Sequence, residues 1–376
     1  MEDIFITNIH VNKVRHLEDV NIVLSETERK HLILTGKNGS GKTSVLEEMM
    51  NNEMFESYHK TQLNISNKIS RAFKPKLSIS FYGEIWKKLN YPVFFFQAKR
   101  FVKFENPRGV AKIPISNNND DKSKKKLNSH FIQQLVNIRY ELLEAKVDEK
   151  IEIENKLQSW IDNFKNLLSK LYNDTGLKLE YDKESYNYEI LLSDGRKFNF
   201  NQLSDGYSSI IDIVSEILMS AGNNIASSYA LQGIVLIDEI ETHLHIDLQK
   251  KILPFLTSFF PKIQFIVTTH SPFVLSSISN AVIFDLEKQE RIEDLSGYSL
   301  DAIVKGYFNS NNYSETMMQE LREYENFLKS NSLTVEQKMR KNQLRASFDS
   351  LPTFLAPEIQ LKLNQLKLAE LELTHD

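Results

Sequence analysis

The 376-residue sequence contains no cysteine, which excludes disulfide bonds and thiolate metal sites. Its longest strongly apolar stretches, GIVLI and QFIVTT, have strand length and fall well below the roughly 20 residues that a membrane helix needs. The N-terminal segment MEDIFITNIHVNKVRHL lacks the basic start and apolar run of a signal peptide. These absences predict a cytoplasmic protein that does not span a membrane.

Charge and composition do not single out a partner. The net charge of -4 gives no overall attraction to nucleic acid, so any such contact would need a local basic patch. With 41% hydrophobic and 26% charged residues, the composition is typical of a globular protein with a sizeable core. The length allows either one large domain with insertions or two domains.

The apolar pattern predicts a mixed α/β fold. Residues 3–24 alternate as two antiparallel strands would, and KHLILTG predicts a strand that runs into a glycine loop. The segment YPVFFFQAKR is nearly all apolar in its middle, which predicts a strand at the centre of the sheet. After residue 200, strands alternate with helices, as expected for a mainly parallel sheet.

Other segments are predicted to lie outside that sheet. Residues 104–130 are polar and predict a loop, and helical spacing from Leu135 to Leu171 predicts an insertion of one or two amphipathic helices. The segment NYEILLSDGRKFNF predicts a hairpin that turns at Asp194-Gly195. Beyond about residue 300 the pattern predicts three helices.

The segment GKNGSGKT matches the phosphate-binding P-loop pattern and stands between a predicted strand and a predicted helix. Backbone N–H groups of such a loop surround phosphates, its lysine reaches the β- and γ-phosphates of ATP, and its Thr43 hydroxyl binds Mg²⁺. The alternative is a chance glycine-rich turn. The predicted nucleotide-binding residues are Gly36, Asn38, Gly39, Ser40, Gly41, Lys42, Thr43 and Ser44.

Two later strand ends carry residues suited to hydrolysis. GIVLIDEIETHLH is an apolar strand that ends in Asp238, predicted to hold Mg²⁺, and Glu239, predicted to orient or deprotonate the attacking water. QFIVTTHSPFVL ends a parallel strand at His270, predicted to donate a hydrogen bond to the γ-phosphate or that water. A solvated strand end is the alternative for each.

A second serine-glycine turn, LSDGY, precedes the helical run IIDIVSEILM. The order of P-loop, LSDGY, apolar strand with Asp-Glu and strand with histidine resembles ABC-type ATPases of the RecF/SMC/OLD-like branch. The resemblance implies that Ser204 and Gly206 cap the γ-phosphate bound to another copy of the chain, so that a homodimer encloses two ATP molecules. An ordinary helix N-cap at Ser204 or Asp205 is the alternative.

The segments ITNIHVNKVRHLEDVNIVLS and VLIDEIETHLHIDLQKKILPFLTSFFPKIQFIVTTHSPFVL are similar to bacterial AAA-type ATPases, a family that includes the PtuA-type subunits of Septu and retron-linked anti-phage systems. The resemblance implies a defence ATPase that regulates a partner nuclease or toxin. By its place at a strand end, Gln97 corresponds to the Q-loop glutamine that ligates Mg²⁺. Arg15 is expected to contact nucleotide, with a surface arginine as the alternative. The family's proline after LH is Ile246 here, which leaves communication between the two sites open.

The implied architecture is an ABC-ATPase head with N-terminal antiparallel strands, a central mainly parallel sheet, a helical insertion and a C-terminal helical tail. The expected divisions are the ATPase lobe with the P-loop (1–103), a basic loop and helical insertion (104–180), the ATPase lobe with the signature, acidic motif and histidine (181–300), and a helical appendage (301–376).

One basic cluster stands out, and it could contact DNA or an RNA–DNA hybrid; a solvated loop is the alternative. Its residues are Lys99, Arg100, Lys103, Arg108, Lys122, Lys124, Lys125 and Lys126. The tail shows no nuclease motif. Two other functions remain open: a RecF-like ATPase of DNA repair or recombination, and an ATP-gated scaffold with negligible turnover.

Overall fold

A computed structural model of the chain describes residues 3–52, 75–83, 91–100, 102–113, 127–221, 228–292, 294–304, 315–330 and 332–349. By contact density the chain divides into two compact units, Met1–Leu300 and Asp301–Asp376. The predicted lysine-rich loop at 117–126 and the third predicted tail helix, near 356–373, lie outside the described residues. No helix in the described ranges combines the length and apolarity that crossing a bilayer requires.

The first sheet is antiparallel and is ordered β2-β1-β4. Its strands are β1 (Phe5–Val14), β2 (Leu17–Val23) and β4 (Leu77–Tyr82). In β2, Val20 and Ile22 are buried between exposed neighbours, because one face of this sheet packs on the core and the other faces solvent. The antiparallel pair predicted over residues 3–24 is confirmed, with Val14 opposite Leu17 beside the turn.

The second sheet has six strands in the order β12-β11-β3-β10-β9-β5. All its neighbouring pairs are parallel except β11 with β12. Its central strands are buried along their whole length, as expected when both faces of a parallel sheet are covered. In chain order the strands are β3 (His31–Thr35), β5 (Val93–Phe96), β9 (Gly233–Ile237), β10 (Ile263–Thr268), β11 (Ala281–Asp285) and β12 (Glu290–Ile292).

The predicted central position of the VFFF strand is wrong. Within the described residues, β5 pairs with β9 alone and lies at the edge of the six-stranded sheet. Phe94 and Phe96 are nevertheless only 8% and 3% exposed. The apolar run therefore indicates that both faces of the strand are buried, but it does not determine where the strand lies in the sheet.

Helices connect and flank the strands of this unit. They are α1 (Lys42–Met50), α2 (Phe131–Val147), α3 (Ile151–Tyr172), α4 (Asp205–Ser220), α5 (Ile246–Phe259) and α6 (Pro272–Leu275). A short helix, α7 (Leu300–Ala302), begins at the last residue of this unit. The helical insertion predicted between Leu135 and Leu171 is confirmed, and it consists of two helices, α2 and α3. The buried face of α3 follows helical spacing and consists of Leu157, Trp160, Phe164, Leu167, Leu168 and Leu171.

A third, antiparallel sheet in the order β6-β7-β8 follows α3. Its strands are β6 (Lys178–Asp182), β7 (Asn187–Leu191) and β8 (Lys197–Asn199). The predicted hairpin is confirmed by the pairing of β7 with β8, and Gly195 in its turn has a φ of 90°. The sequence pattern did not predict β6, whose residues are partly exposed on both faces.

The second unit contains α8 (Glu315–Lys329) and α9 (Val335–Asp349). Both helices match predicted tail helices. Each is mainly polar outside one apolar stripe, and the stripes meet in a small core of Leu321, Tyr324, Leu344 and Phe348. The Tyr324 and Phe348 rings pack edge to face with their centroids 5.8 Å apart.

Candidate nucleotide-binding site

The P-loop joins the end of β3 to the start of α1 at the carboxyl edge of the parallel sheet. The Lys42 side chain folds back over this loop, where Nζ donates to the carbonyl oxygens of Gly36 at 2.8 Å and Lys37 at 3.0 Å. Lys37, Asn38 and Gly39 are exposed at the tip of the loop. Ser40 and Ser44 are both buried.

Two glycines of the loop are dictated by close packing. A Cβ on Gly36 would lie 2.9 Å from Ser40 Oγ and 3.2 Å from the amide nitrogen of Glu287. Gly41, the N-cap of α1, has a φ of 97°, and a Cβ there would lie 2.9 Å from Leu17 Cδ1. Because L side chains rarely adopt such a φ, both the backbone and the neighbours require glycine.

The same contact with Leu17 places the β1–β2 turn beside the P-loop. Arg15 occupies this turn, is exposed, and has a φ of 55°. His16 lies between them, with Cε1 3.7 Å from the Cβ position of Gly41. Arg15 is therefore near the loop through its neighbours in sequence, and its contact with nucleotide stays a prediction.

Asp238 is the centre of a hydrogen-bond network that joins three segments. The Thr43 hydroxyl lies 3.1 Å from Asp238 Oδ1 and 3.0 Å from Oδ2. Thr268 Oγ1 donates to Asp238 Oδ1 at 2.7 Å and accepts from the Glu239 amide at 2.7 Å. Asp238 itself is only 6% exposed. The network fixes the acidic strand end against the first turn of α1.

Glu239 and His270 follow on neighbouring parallel strands, so they share the edge that carries the P-loop. Glu239 has a φ of 43°, a sparsely populated conformation for a residue with a side chain. Its Oε2 accepts a hydrogen bond from Thr242 Oγ1 at 3.2 Å. The His270 amide donates to Glu241 Oε1 at 2.6 Å, which ties the two strand ends together.

The charged groups at this sheet edge are close enough to shift one another's pKa values. Burial lowers the pKa of Lys42, and the nearby carboxylates of Glu239, Asp238 and Glu241 oppose that shift. Burial and the charge of Lys42 lower the pKa of His270, against the opposing effect of Glu241 and Glu239. Because its ordinary pKa is about 6.5, His270 is mainly neutral at pH 7 and keeps one N–H donor.

Gln97 and Arg100 stand after β5. Phe96 pairs with Ile237, so Gln97 and Asp238 are the next residues on neighbouring strands, and the Gln97 side chain is exposed. Arg100 is 4% exposed and donates to the carbonyl oxygens of Asp238 and Ile240 at 2.8 and 3.0 Å. Its assignment to a basic surface patch is wrong, because these buried carbonyls occupy its guanidinium.

The other members of that predicted patch are divided by the structure. Lys99, Lys103 and Arg108 are exposed. The four lysines between 122 and 126 lie outside the described residues. A nucleic-acid surface at this place stays a prediction.

The LSDGY turn begins α4. Ser204 is the N-cap residue, is exposed, and makes no capping hydrogen bond with its side chain. A Cβ on Gly206 would lie 3.1 Å from the His243 carbonyl oxygen and 3.2 Å from Leu248 Cδ1, so packing within the chain explains this glycine. Among the described residues, no hydrogen bond or ion pair joins Ser204 or Gly206 to the P-loop of the same chain.

Sequence reasoning missed three residues of this site. They are Thr268, which locks Asp238 and Glu239; Glu241, which fixes the His270 backbone; and Arg100. Polar residues directly after an apolar strand were a usable signal for all three, since QAKR, DEIE and TTH each occupy such a position.

The residues of the site fit a nucleotide and Mg²⁺. The buried Ser40 hydroxyl has no hydrogen-bond partner within the described part of the chain. A phosphate group would supply an acceptor for it and for Lys42 Nζ. The Thr43 hydroxyl and Asp238 carboxylate are hard oxygen ligands of the kind that Mg²⁺ prefers, and Gln97 adds an amide oxygen nearby.

Comparison with known proteins gives a family match. The family described as "AAA domain, putative AbiEii toxin, Type IV TA system" matches residues 56–276, which is more than half of the 376-residue chain. The matched range includes the signature turn, the acidic strand end and His270. The P-loop precedes it.

Two curated proteins are similar in sequence to different lengths of the chain. The Septu protein PtuA of Bacillus mycoides (strain KBAB4) is 25% identical over 337 residues, which cover 81% of this chain and 44% of that protein. The Retron Ec83 probable ATPase of Escherichia coli is 33% identical over 188 residues, which cover 48% of this chain and 32% of that protein. The chain thus spans less than half the length of either relative.

Among solved structures, the SMC head domain from Thermotoga maritima matches with a TM-score of 0.37 and 12% identity, covering 75% of this chain and 94% of that one. The SMC head bound to the C-winged helix domain of ScpA matches with a TM-score of 0.40 and 12% identity, covering 75% of this chain and 93% of that one.

Proposed function

This chain belongs to the family of AAA-domain ATPases that carries the description "putative AbiEii toxin, Type IV TA system", and on that premise we propose that it binds and hydrolyses MgATP between two copies of itself. One observation carries the proposal: Thr43 of the P-loop is hydrogen-bonded to both oxygens of Asp238, 195 positions away in the sequence. A phosphate-binding loop, a metal-ligand pair and a positioned glutamate therefore converge on one sheet edge.

The loop and its lysine account for nucleotide binding. N–H groups of residues 36–43 and the positive end of α1 face the β- and γ-phosphates, and Lys42 adds a full positive charge. Thr43 and Asp238 would hold Mg²⁺, Gln97 would be a further ligand of the ion, and Arg15 would contact the nucleotide. When bound, the ion neutralises negative charge that develops on the phosphate oxygens.

Glu239 acts on water. Its carboxylate stands one residue beyond the metal-holding Asp238, and the positive φ at Glu239 turns it away from the strand direction. Glu239 orients the attacking water and accepts its proton. His270 donates a hydrogen bond from its neutral imidazole to the γ-phosphate or to that water, consistent with its lowered pKa.

The exposed Ser204 edge completes the site of a second copy. Its hydroxyl makes no helix-capping hydrogen bond, and the first N–H groups of α4 lie at the same helix end. An isologous head-to-head dimer would place each Ser204 on the γ-phosphate held by the other P-loop. ATP therefore drives dimerisation, and hydrolysis releases it.

The names of the relatives support a place in anti-phage defence, where this ATPase would regulate a nuclease or toxin effector made beside it. Co-purification with the products of neighbouring genes tests that partner directly. Recovery of the chain alone, in both ATP-bound and nucleotide-free states, would argue against an effector.

Two substitutions test the ATPase itself. Glu239→Gln keeps the size of the side chain but removes the base, so we expect turnover to fall by about 10²- to 10⁴-fold while ATP stays bound and dimers accumulate. Lys42→Ala should abolish nucleotide binding. The matched control is Lys37→Ala in the same loop, because Lys37 is exposed and pairs with Glu287 at 2.8 Å.

Equilibrium binding of a fluorescent ATP analogue and sedimentation velocity provide the two measurements. Wild-type turnover by the Glu239→Gln variant would refute the role of Glu239. Nucleotide binding by the Lys42→Ala variant equal to that of the Lys37→Ala variant would refute the role of the loop.

A further inference from the structure

Arg100 makes five hydrogen bonds to three separate segments of the chain. Its guanidinium donates to the carbonyl oxygens of Asp238 at 2.8 Å, Glu239 at 3.2 Å and Ile240 at 3.0 Å. A fourth bond goes to the Gln97 carbonyl at 3.3 Å. Three consecutive carbonyls can converge on one side chain because the chain reverses direction at Glu239, where φ is positive.

The fifth donor of Arg100 leaves the acidic turn altogether. Arg100 Nε donates to Ser209 Oγ on α4 at 2.9 Å, and Ser209 is 1% exposed. Ser209 lies just over one helical turn after Ser204, the residue at the start of that helix. A single buried side chain thus connects the helix that presents Ser204 with the turn that presents Glu239.

The surroundings keep this connection rigid. Asp212, one turn beyond Ser209, is fully buried and accepts a hydrogen bond from Asn128 at 2.5 Å. Its carboxylate, with those of Glu241 and Asp238, opposes the lowering of the Arg100 pKa by burial. A planar guanidinium whose five donors are all used cannot turn without breaking several bonds at once.

We propose that Arg100 is a positioning residue that couples the Ser204 edge to Glu239, so that a phosphate bound at Ser204 in one site aligns the hydrolytic glutamate in the other. This inference rests on the proposed dimer. A small shift of α4 upon phosphate binding moves Ser209, and the Arg100 fork transfers the shift to the carbonyls on both sides of Glu239. Each site then hydrolyses ATP only when its counterpart is filled.

The test uses the full-length chain with Ser209→Ala, which removes the bond to α4 and leaves the carbonyl bonds intact. Ser208→Ala is the matched control, because Ser208 is also buried on α4 but makes no hydrogen bond to Arg100 among the described residues. Arg100→Lys is the second variant; it keeps the charge and loses the fork. Thermal melting identifies any variant that fails to fold.

We expect Ser209→Ala and Arg100→Lys to lower kcat by about tenfold or more, with the KM for ATP changed by less than about twofold, because neither residue is placed to touch nucleotide. Ser208→Ala should keep the wild-type kcat. The coupling itself is measured by a double-mutant cycle with Ser204→Ala. In the Ser209→Ala background, Ser204→Ala should cause a smaller loss than in the wild-type chain, because only its direct contact with the phosphate remains to be lost.

Two results separate this inference from the function on which it rests. If Ser204→Ala turns over ATP at the wild-type rate and wild-type kcat does not depend on protein concentration, the proposed dimer is refuted. The proposed coupling through Arg100, which depends on the dimer, is then refuted as well. If Ser204→Ala is impaired as expected but Ser209→Ala keeps the wild-type kcat, or the two losses simply multiply, the dimer stands and the coupling through Arg100 is refuted.

Discussion

Thr268 offers a sharp test of the network that positions the acidic strand end. Thr268→Val replaces the hydroxyl by a methyl group of similar size and so leaves the packing of β10 nearly unchanged. Two hydrogen bonds are lost: the one donated to Asp238 and the one accepted from the Glu239 amide, each 2.7 Å long. Both partners are then left without that bond at a largely buried position.

The magnitude follows from those two bonds. A hydrogen bond to a charged group contributes about 1.5–3 kcal/mol, and an amide left unsatisfied costs about 1–3 kcal/mol. Allowing for partial access of water to Glu239, we expect the free energy of unfolding to fall by about 3 kcal/mol. For a unit of 300 residues, with an unfolding entropy of roughly 2.1 cal/mol/K per residue, that corresponds to a Tm lower by roughly 5 °C. Turnover should fall as well, since Glu239 loses its anchor.

Thr35→Val is the matched control on the neighbouring strand β3. Thr35 is also fully buried, but within the described ranges its hydroxyl has no hydrogen-bond partner. The same substitution should therefore be neutral or stabilising there. Calorimetry at fixed pH measures both. Equal Tm values for Thr268→Val and wild type, or equal losses in the two variants, would refute the network as the source of stability.

His31 and Gly41 give two further predictions. Burial lowers the pKa of His31 to about 4, and its Nδ1 accepts a hydrogen bond from the Phe265 amide. Between pH 6.5 and 5 the unfolded chain therefore takes up a proton at His31 that the folded chain does not. The free energy of unfolding should fall by about 2 kcal/mol over that pH range in the wild type and by less in His31→Asn. Equal slopes of unfolding free energy against pH in the two proteins would refute this. Gly195 has a φ of 90° and open space around it, so Gly195→Ala should lower the free energy of unfolding by about 1 kcal/mol in a denaturant titration. Gly41→Ala would also clash with Leu17, so it should lower that free energy by more and weaken ATP binding. Equal losses of stability in the two variants would contradict the packing argument.

The sequence pattern predicted those parts of the fold in which one local signal determines one element. Alternation gave β1 and β2, and the apolar stripe gave α3. The place of β5 could not be predicted, because an apolar strand covered on both faces has the same composition at the centre and at the edge of a sheet. β12 was missed because three residues paired at an edge carry almost no apolar signal.

At the candidate site, motif spacing predicted which residues stand at strand ends, and the structure brings Lys42, Thr43 and Asp238 together as expected. Arg100 was misplaced because a charged side chain next to lysines suggests a solvated face. Its actual partners are backbone carbonyls of residues about 140 positions away, which no local pattern encodes. Gly206 shows the same limitation, since its neighbour is the His243 carbonyl.

Complementation between two inactive variants tests the shared site most directly. Lys42→Ala removes the P-loop function and Ser204→Arg blocks the opposite edge, so neither homodimer holds a complete site. In a one-to-one mixture only the mixed pair has a complete site, formed by the intact P-loop of the Ser204→Arg chain and the intact Ser204 of the Lys42→Ala chain. We predict that ATP joins the two variants in a mixed dimer detected by sedimentation velocity, whereas each variant alone stays monomeric. A mixture that sediments like its separate components would contradict the account.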